Sequence, residues 1–563
     1  MRRLPLTILF ALLPAIAHAA TYTVATNGND NNPGTAQRPW RTIQKAANTA
    51  VAGDKVQVQA GTYTERVTFP KSGTTSNPII FTGVRGSGGS WDTVINGSTA
   101  TSGWVTAPEV GSGVWKTTLG YSPQAIMADE KTIWKISDRA MKHEVLHGTD
   151  GNGFVYLARS ATAQIRTALG TVNYWDGIEA LYGNLGSTTY LRFRHGDNPA
   201  SRNVRAAPAG GTVTFKGVNN IILRNFRIIG GQWQIYVAGG AQNITIDQNF
   251  LATGQRRISV NGGINTTISG NKLTMQGLGT EAFRPGDRNT TSYPRIVNRH
   301  QYDQSKFIVG ETDTNDASIM IATNAANTTV TGNEIYDGMI GIQISETTTN
   351  TKITKNTFHN FSDIGVYIYP DSASLFIDNN LFYDAEHHIR MNAMHRSWEA
   401  HIYANRFHQP TYNGQGFGAK HVHFSPNPNM PVMARVWVYQ NSFAGGGWAC
   451  DAGYEGTAYS MPYVHIINNL ISTTGMTSGP SPGGWEVTSN LLDKLWYSDT
   501  IPDFVLPTGH KARNSGVDLI SRGLPGVTTT YYQDGRPDIG AIQGTPQSAT
   551  IPTPPTNARA TSS

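Results

Sequence analysis

The feature that most constrains this chain is a recurring pattern in which an aliphatic residue is followed three positions later by Asn. It occurs at Ile222/Asn225, Ile246/Asn249, Ile268/Asn271, Val330/Asn333, Ile353/Asn356, Ile377/Asn380, Ile402/Asn405, Val438/Asn441 and Ile466/Asn469. The steps between successive Asn residues are 24, 22, 62, 23, 24, 25, 36 and 28. Self-similarity at such a period marks a solenoid, in which each unit buries its apolar face only by stacking on the next. A step near the short end of that range is the length of one coil with three short strands and three bends, and successive coils stack at about 4.8 Å. Asn tolerates the left-handed backbone such a bend needs, and its amide can bond to the coils above and below, so the repeated Asn is expected to form a ladder. These asparagines read as scaffold. Asn265-Thr-Thr and Asn327-Thr-Thr take the same reading in preference to glycosylation acceptors.

A chain of 563 residues exceeds what one compact core supports. The repeat resolves this in favour of one elongated unit. The 60 glycines and a charged fraction of only 15% suit short strands and tight turns better than helices. The expected architecture is an all-β, three-sheet parallel solenoid over residues 20–544, with a long insertion at about 277–316. The 62-residue step is one coil plus that excursion, which carries Arg284, Arg288, Tyr293, Arg295, Arg299, His300, Tyr302 and Lys306. Excursions of this length are commonly functional. Cations mixed with aromatics suit an acidic sugar chain, with Arg299 and Lys306 taken as binding candidates.

Residues 1–19 combine Arg2 and Arg3, an apolar run and the small-residue end Ala17-His18-Ala19, which reads as a cleaved signal peptide. The mature protein is then secreted or periplasmic, without a membrane anchor. Residues 545–563, rich in Thr, Pro, Ala and Ser, read as a flexible tail. Cys450 stands alone and reads as a small buried hydrophobe. Once Arg2 and Arg3 are removed, 42 Lys+Arg face 38 Asp+Glu. That mild excess gives no nucleic-acid signature and is compatible with an anionic substrate and a monomer.

A second set of strands aligns without gaps: Ile235-Tyr-Val, Ile258-Ser-Val, Ile319-Met-Ile, Ile342-Gln-Ile, Val366-Tyr-Ile, Ile389-Arg-Met and Val422-His-Phe. Alternation sends the aliphatics inward and places Tyr236, Ser259, Met320, Gln343, Tyr367, Arg390 and His423 in one outward column. Tyr369, His388, Asn392 and His421 are expected to flank it. The early coils of the column are bland, and the later ones gather groups that bind anions or move protons, with Glu386, His387, His395, Arg396 and Lys420 nearby in sequence. Titratable side chains converging on an outward face indicate a site. On the neighbouring first strand the outward positions include His401, Tyr403, Trp437 and Tyr439, which could stack on sugar rings; ordinary cross-strand packing is the alternative.

The segment Thr21–Gly83, with Pro39-Trp-Arg-Thr-Ile-Gln-Lys-Ala46 and Gly53-Asp-Lys-Val-Gln-Val-Gln-Ala-Gly-Thr-Tyr63, resembles the opening coil of extracellular right-handed β-helix proteins, in which a short amphipathic helix plugs the end. Asp534-Gly-Arg-Pro-Asp-Ile-Gly-Ala541 resembles their closing segment. The whole is similar to the pectate-lyase-like superfamily, most of all to its polysaccharide lyases of the chondroitinase B and alginate lyase type. That resemblance implies a right-handed parallel β-helix and cleavage by β-elimination. In that chemistry a cation or metal neutralises a uronate carboxylate, a base removes the C5 proton and an acid protonates the departing O4. Arg390 suits the carboxylate as a permanent bidentate partner. Tyr367 or His388 suits the base or acid, with His423, His421 and Lys420 as proton-shuttle or subsite candidates. Gln343, Tyr369, Asn392, His401, Tyr403 and Trp437 are further candidates for substrate binding.

Some members of the superfamily use calcium, and Glu311, Asp313 and Asp316, with Glu346 as a further candidate, are the oxygen donors this sequence offers. A glycoside hydrolase would instead need paired carboxylates, for which Asp363, Asp371, Glu346 and Glu386 are candidates. A C5-epimerase shares the first proton abstraction. A glycan-binding surface protein would spread its aromatics over many coils rather than concentrate them.

Overall fold

The computed structural model describes residues 19–108, 113–135, 180–185, 187–193, 196–254, 256–274, 317–408, 420–426, 429–452, 460–476, 483–493, 495, 503–527 and 536–541. Residues 1–18 of the leader, the 545–563 tail and the whole of the 277–316 excursion lie outside these residues.

The chain winds as a parallel β-helix with three walls. One wall is a 13-stranded sheet running from Thr21–Val24 to Glu486–Thr488. A typical coil passes from Asn219–Arg224 on this first wall, through Arg227–Ile229 on the third, to Trp233–Ala238 on the second, and returns to the first at Gln242–Asp247. Second- and third-wall strands merge into one 20-stranded sheet. The merger comes from Glu334–Thr347 and Thr357–Ser372, which run around the corner without a break. Inside, aliphatics stack coil on coil, as in Ile235, Ile258, Ile319, Ile342, Val366, Ile389, Val422 and Cys450. Phe358, Phe382, Phe407 and Phe443 form a stacked row off the third wall. Cys450 is fully buried in this core, as its lone occurrence suggested.

The Asn ladder forms, with the left-handed backbone one residue before each Asn and not at it. Nine residues, Asn249, Asn271, Asn333, Asn356, Asn380, Asn405, Asn441, Asn469 and Asn490, make it. Each except Asn490 donates its backbone N–H and its Nδ2 to the Oδ1 of the next, as Asn356 does to Asn380 at 2.9 and 3.0 Å. Left-handed backbone falls on the preceding residue: Gln248, Gly270, Gly332, Lys355, Asn379, Ala404, Gln440, Asn468 and Ser489. Asn225 occupies that position, and the ladder ends instead at the Phe226 N–H, which donates to Asn249 Oδ1. Asn271 bonds directly to Asn333 across 62 residues, so the excursion leaves and rejoins the helix without breaking the ladder. A second ladder joins Asn220, Asn243, Asn265, Asn327 and Asn350 through their side chains, all with positive φ. Asn265 and Asn327 are therefore scaffold.

Helix Ile43–Thr49 closes the first coil, burying Ile43, Ala46 and Ala47 against it. Thr42 caps it by accepting from the Lys45 N–H. Its placement covers strand edges that would otherwise invite aggregation. The closing segment also packs, with Ile539 against Leu470, Leu506 and Ala512. A second excursion has no counterpart in the repeat pattern. After Thr93–Asn96, the described residues between Thr99 and Ala207 include eight strands that form a separate, mainly antiparallel sheet with its own core of Ile126, Ile133, Tyr182, Leu191, Phe193 and Val204. The helix resumes at Gly211–Lys216, which pairs with Val67–Phe69.

Candidate active site

The outward column of the second wall is continuous in register. Tyr236 pairs with Ser259, then Met320, Gln343, Tyr367, Arg390 and His423 follow on successive coils. The next rung is Asp451, which the sequence alignment did not reach because Cys450 replaces the marker aliphatic there. Extending the register by one coil would have found it.

Half of this column is buried, although it faces away from the helix interior: Ser259, Gln343, His423 and Asp451 are 3, 3, 6 and 2% exposed. Tyr367 and Arg390 are half-buried. Beside the column runs a second outward row, Ala317, Ile340, Ile364, His387, Lys420 and Trp448. Ala317, Ile340 and Ile364 pack together against Tyr367, apart from the main core. The two rows converge in the last coils. Lys420 Nζ meets Asp451 Oδ2 at 2.5 Å, both side chains being nearly inaccessible, and the same oxygen lies 3.8 Å from His423 Nδ1. His387 and His423 have ring centroids 4.9 Å apart. His423 Nε2 is 3.3 Å from Ser425 Oγ. On the other flank Asn392 Nδ2 donates to the Tyr367 hydroxyl at 2.7 Å. Tyr369 stands half-exposed with its ring 6.0 Å from that of Tyr367. Gln343 Nε2 reaches Ser345 Oγ at 3.3 Å.

His388 and His421 are not part of this face. Both point into the helix, where His388 stacks between Phe382 and Phe407, and His421 lies against Phe407 and Phe443. Their Nδ1 atoms are 3.0 Å apart. Burial in the apolar interior, with His408 adding to it, holds both imidazoles well below the ordinary histidine range, so they are neutral. The reason is a kink at the corner from the third wall to the second. The residue before the first inward aliphatic also turns inward, giving a buried row of Gln234, Arg257, Ser318, Gly341, Gly365, His388, His421 and Ala449. Where the corner is tightest only Gly fits: a Cβ on Gly341 would sit 2.4 Å from the Gly365 carbonyl oxygen, and one on Gly365 2.6 Å from that of His388. Simple alternation therefore misplaces this row and its neighbour, and it is His387 that faces outward.

His401, Tyr403 and Trp437 also lie elsewhere. They occupy the first wall, where Phe376, His401, Trp437 and His465 stack with centroids 5.5, 6.4 and 3.8 Å apart and planes within 13°. Rings stacked on one another have their faces occupied and offer little to a sugar. Tyr403 and Tyr439 stack at 5.1 Å and are covered by Leu519 and Leu524, with the Tyr439 hydroxyl donating to the Pro525 carbonyl at 2.7 Å. Cross-strand packing accounts for them.

Arg299, Lys306, Glu311, Asp313 and Asp316 lie outside the described residues. Among the described residues no group of three or more His, Cys, Asp or Glu is placed to hold a metal ion. Of the carboxylates considered for a hydrolase, Glu346 accepts from Thr323 Oγ1, Asp371 faces Arg396 at 3.7 Å on the surface, and Glu386 is buried. No helix among the described residues is long and apolar enough to cross a membrane.

Residues 211–407 and 303–471 match the sequence model of the family described as "Right handed beta helix region". Residues 26–72 match "Protein of unknown function (DUF1565)". With the three-walled parallel architecture, this makes the chain a right-handed parallel β-helix protein. Among curated relatives, "Uncharacterized protein YwoF" of Bacillus subtilis is 43% identical over 58 residues, 10% of this chain and 12% of its own length. "Pectate lyase PEL9" of Emericella nidulans is 37% identical over 78 residues, 14% of this chain and 19% of its own. The chain thus matches less than a fifth of the length of either relative. Among solved structures, pectate lyase Pel9A aligns with 94% of this chain and 97% of its own, at 11% identity and a TM-score of 0.42.

Proposed function

We propose that this chain is a polysaccharide-cleaving enzyme, acting as a lyase that breaks a uronate-containing polymer by β-elimination. The observation that carries the reading is the placement of Tyr367, Arg390 and His423 on three consecutive rungs of one outward column, with Arg390 in the middle. Tyr367 and His423 are two strand spacings apart, roughly 9–10 Å along the wall, which leaves room for one sugar ring over the guanidinium. Arg390 neutralises the uronate carboxylate, which makes the neighbouring C5–H more acidic. His423 takes the C5 proton, the electron pair forms the C4–C5 double bond as the C4–O4 bond breaks, and the Tyr367 hydroxyl gives its proton to O4. Proton return from His423 to the phenolate resets the site. Lys420 and Asp451 hold one another as a buried ion pair and fix the floor beneath His423.

Asp451 is the one carboxylate of the column among the described residues, and Lys420 engages it, which favours elimination over a two-carboxylate hydrolysis. Similarity to a pectate lyase over 78 residues supports the same substrate class. Export through the leader at residues 1–19 would bring the protein to an extracellular polymer. The test is incubation with a panel of uronate polysaccharides while following ultraviolet absorbance from the new double bond. Rising absorbance with new reducing ends is the expected result. New reducing ends without absorbance would replace elimination by hydrolysis, and C5 inversion without cleavage would replace it by epimerisation.

A further inference from the structure

Asn392 occupies a position the elimination chemistry does not use, at the edge of the second wall. Its backbone N–H donates to the Ile368 carbonyl at 2.8 Å, which seats it directly beside the coil carrying Tyr367 and Tyr369. Its Nδ2 donates to the Tyr367 hydroxyl oxygen at 2.7 Å. Its Oδ1 is buried and has no hydrogen-bond donor among the described residues. The amide therefore holds Tyr367 by the phenol oxygen, leaving that oxygen's own proton directed elsewhere, and keeps an acceptor in reserve.

We infer that Asn392 is the positioning residue for proton transfer by Tyr367 and a determinant of how the sugar at the cleavage point is held, an inference that rests on the elimination reading. A donor to the phenol oxygen stabilises the phenolate that remains once the proton has passed to O4, and so makes the phenol a better acid at the moment of bond breaking. Arg390, one rung further along the column, adds its positive charge to the same oxygen's surroundings. The Oδ1 accepts a ring hydroxyl of the bound uronate, an acceptor whose burial penalty is relieved only when substrate is present. Tyr369 covers the ring from the exposed side. One side chain would thus couple the orientation of the sugar to the readiness of the acid.

The experiment is a double-mutant cycle with an independent spectroscopic readout. Asn392→Leu, which keeps the branching at Cγ and removes both polar atoms, is expected to lower kcat about tenfold and raise KM several-fold for the polymer, with the alkaline limb of the pH–rate profile displaced. In a Tyr367→Phe background it should lower kcat less than twofold further, because the bond it would break is already gone. With tyrosines labelled for NMR and the Tyr367 signal assigned by its loss in Tyr367→Phe, the titration of that signal should move to higher pH in Asn392→Leu. Asn392→Ala repeats each measurement should Leu fold poorly. Equal losses in the two backgrounds, or an unmoved Tyr367 titration, would overturn the inference. Because the NMR titration needs no turnover, a moved signal in a protein that cleaves no uronate would overturn the elimination reading while leaving the Asn392–Tyr367 contact standing.

Discussion

The outer faces of the second and first walls, compared over the same coils, show what separates a candidate site from scaffold. Both are rich in His, Tyr and Trp. On the first wall these rings lie one on another, Phe376 to His465, with planes within 13° of parallel, and their nitrogens are engaged by Glu399 and Glu486. On the second wall, consecutive rungs carry unlike groups: an amide, a phenol, a guanidinium, an imidazole and a carboxylate. Like residues stacked in register satisfy each other, whereas unlike residues in register are arranged for a third party. Residue type alone does not distinguish the two walls; the sequence of types along a column does.

The largest effect should come from breaking the buried pair beneath that column. Lys420→Met takes the ammonium away from the Asp451 carboxylate at 2% exposure, and a cost of about 3–5 kcal/mol is expected in urea unfolding. A loss under 1 kcal/mol would mean that the last coils are held by something else. Next, Arg390→Ala should lower kcat/KM on the uronate polymer by roughly 10²–10³-fold, as loss of one preorganised donor does, with the thermal midpoint unchanged. Retained turnover would remove the column's central residue from the chemistry. Asn356→Ala, which deletes a ladder side chain bonded to Asn380, Val330 and Asn333, should cost about 2–3 kcal/mol and affect both walls alike.

The paired histidines sharpen the contrast between faces of one strand. His388 and His421 stay neutral in the folded core, while their unfolded counterparts take up protons near pH 6.5. Above that pH they make no pH-dependent contribution. As pH falls below it, the unfolded chain binds protons that the native chain refuses, so stability declines, by up to roughly 1.4 kcal/mol per pH unit for each histidine. Chemical denaturation between pH 7.5 and 5 should show this slope, and His388→Leu should flatten it. The smallest effect belongs to the first wall: Trp437→Ala should change kcat/KM less than twofold, and a larger loss would return that wall to the site.

Much of the fold was legible in the sequence because a solenoid repeats its constraints. The Asn ladder and the register of Tyr236 through His423 follow from periodicity and alternation, which each coil states anew, whereas the capping helix at Ile43–Thr49 was implied by the resemblance of the opening segment. Asp451 was within reach of the same reasoning and was hidden only by Cys450 standing where an aliphatic was sought. The antiparallel sheet within residues 99–207 was not legible, since it occurs once and shares no period with the coils.

What the sequence determined by itself is which residues share a column, because parallel strands stacked in register keep equivalent positions together. Which way a side chain points at the corner was decided only by the tertiary structure. There the backbone kinks, two successive residues face the core, and His388 goes in while His387 stays out. Burial was decided at the same level: a column that faces away from the helix interior is nonetheless nearly inaccessible at Gln343, His423 and Asp451. Alternation is a property of a straight strand, whereas corners and coverage belong to the packed chain as a whole.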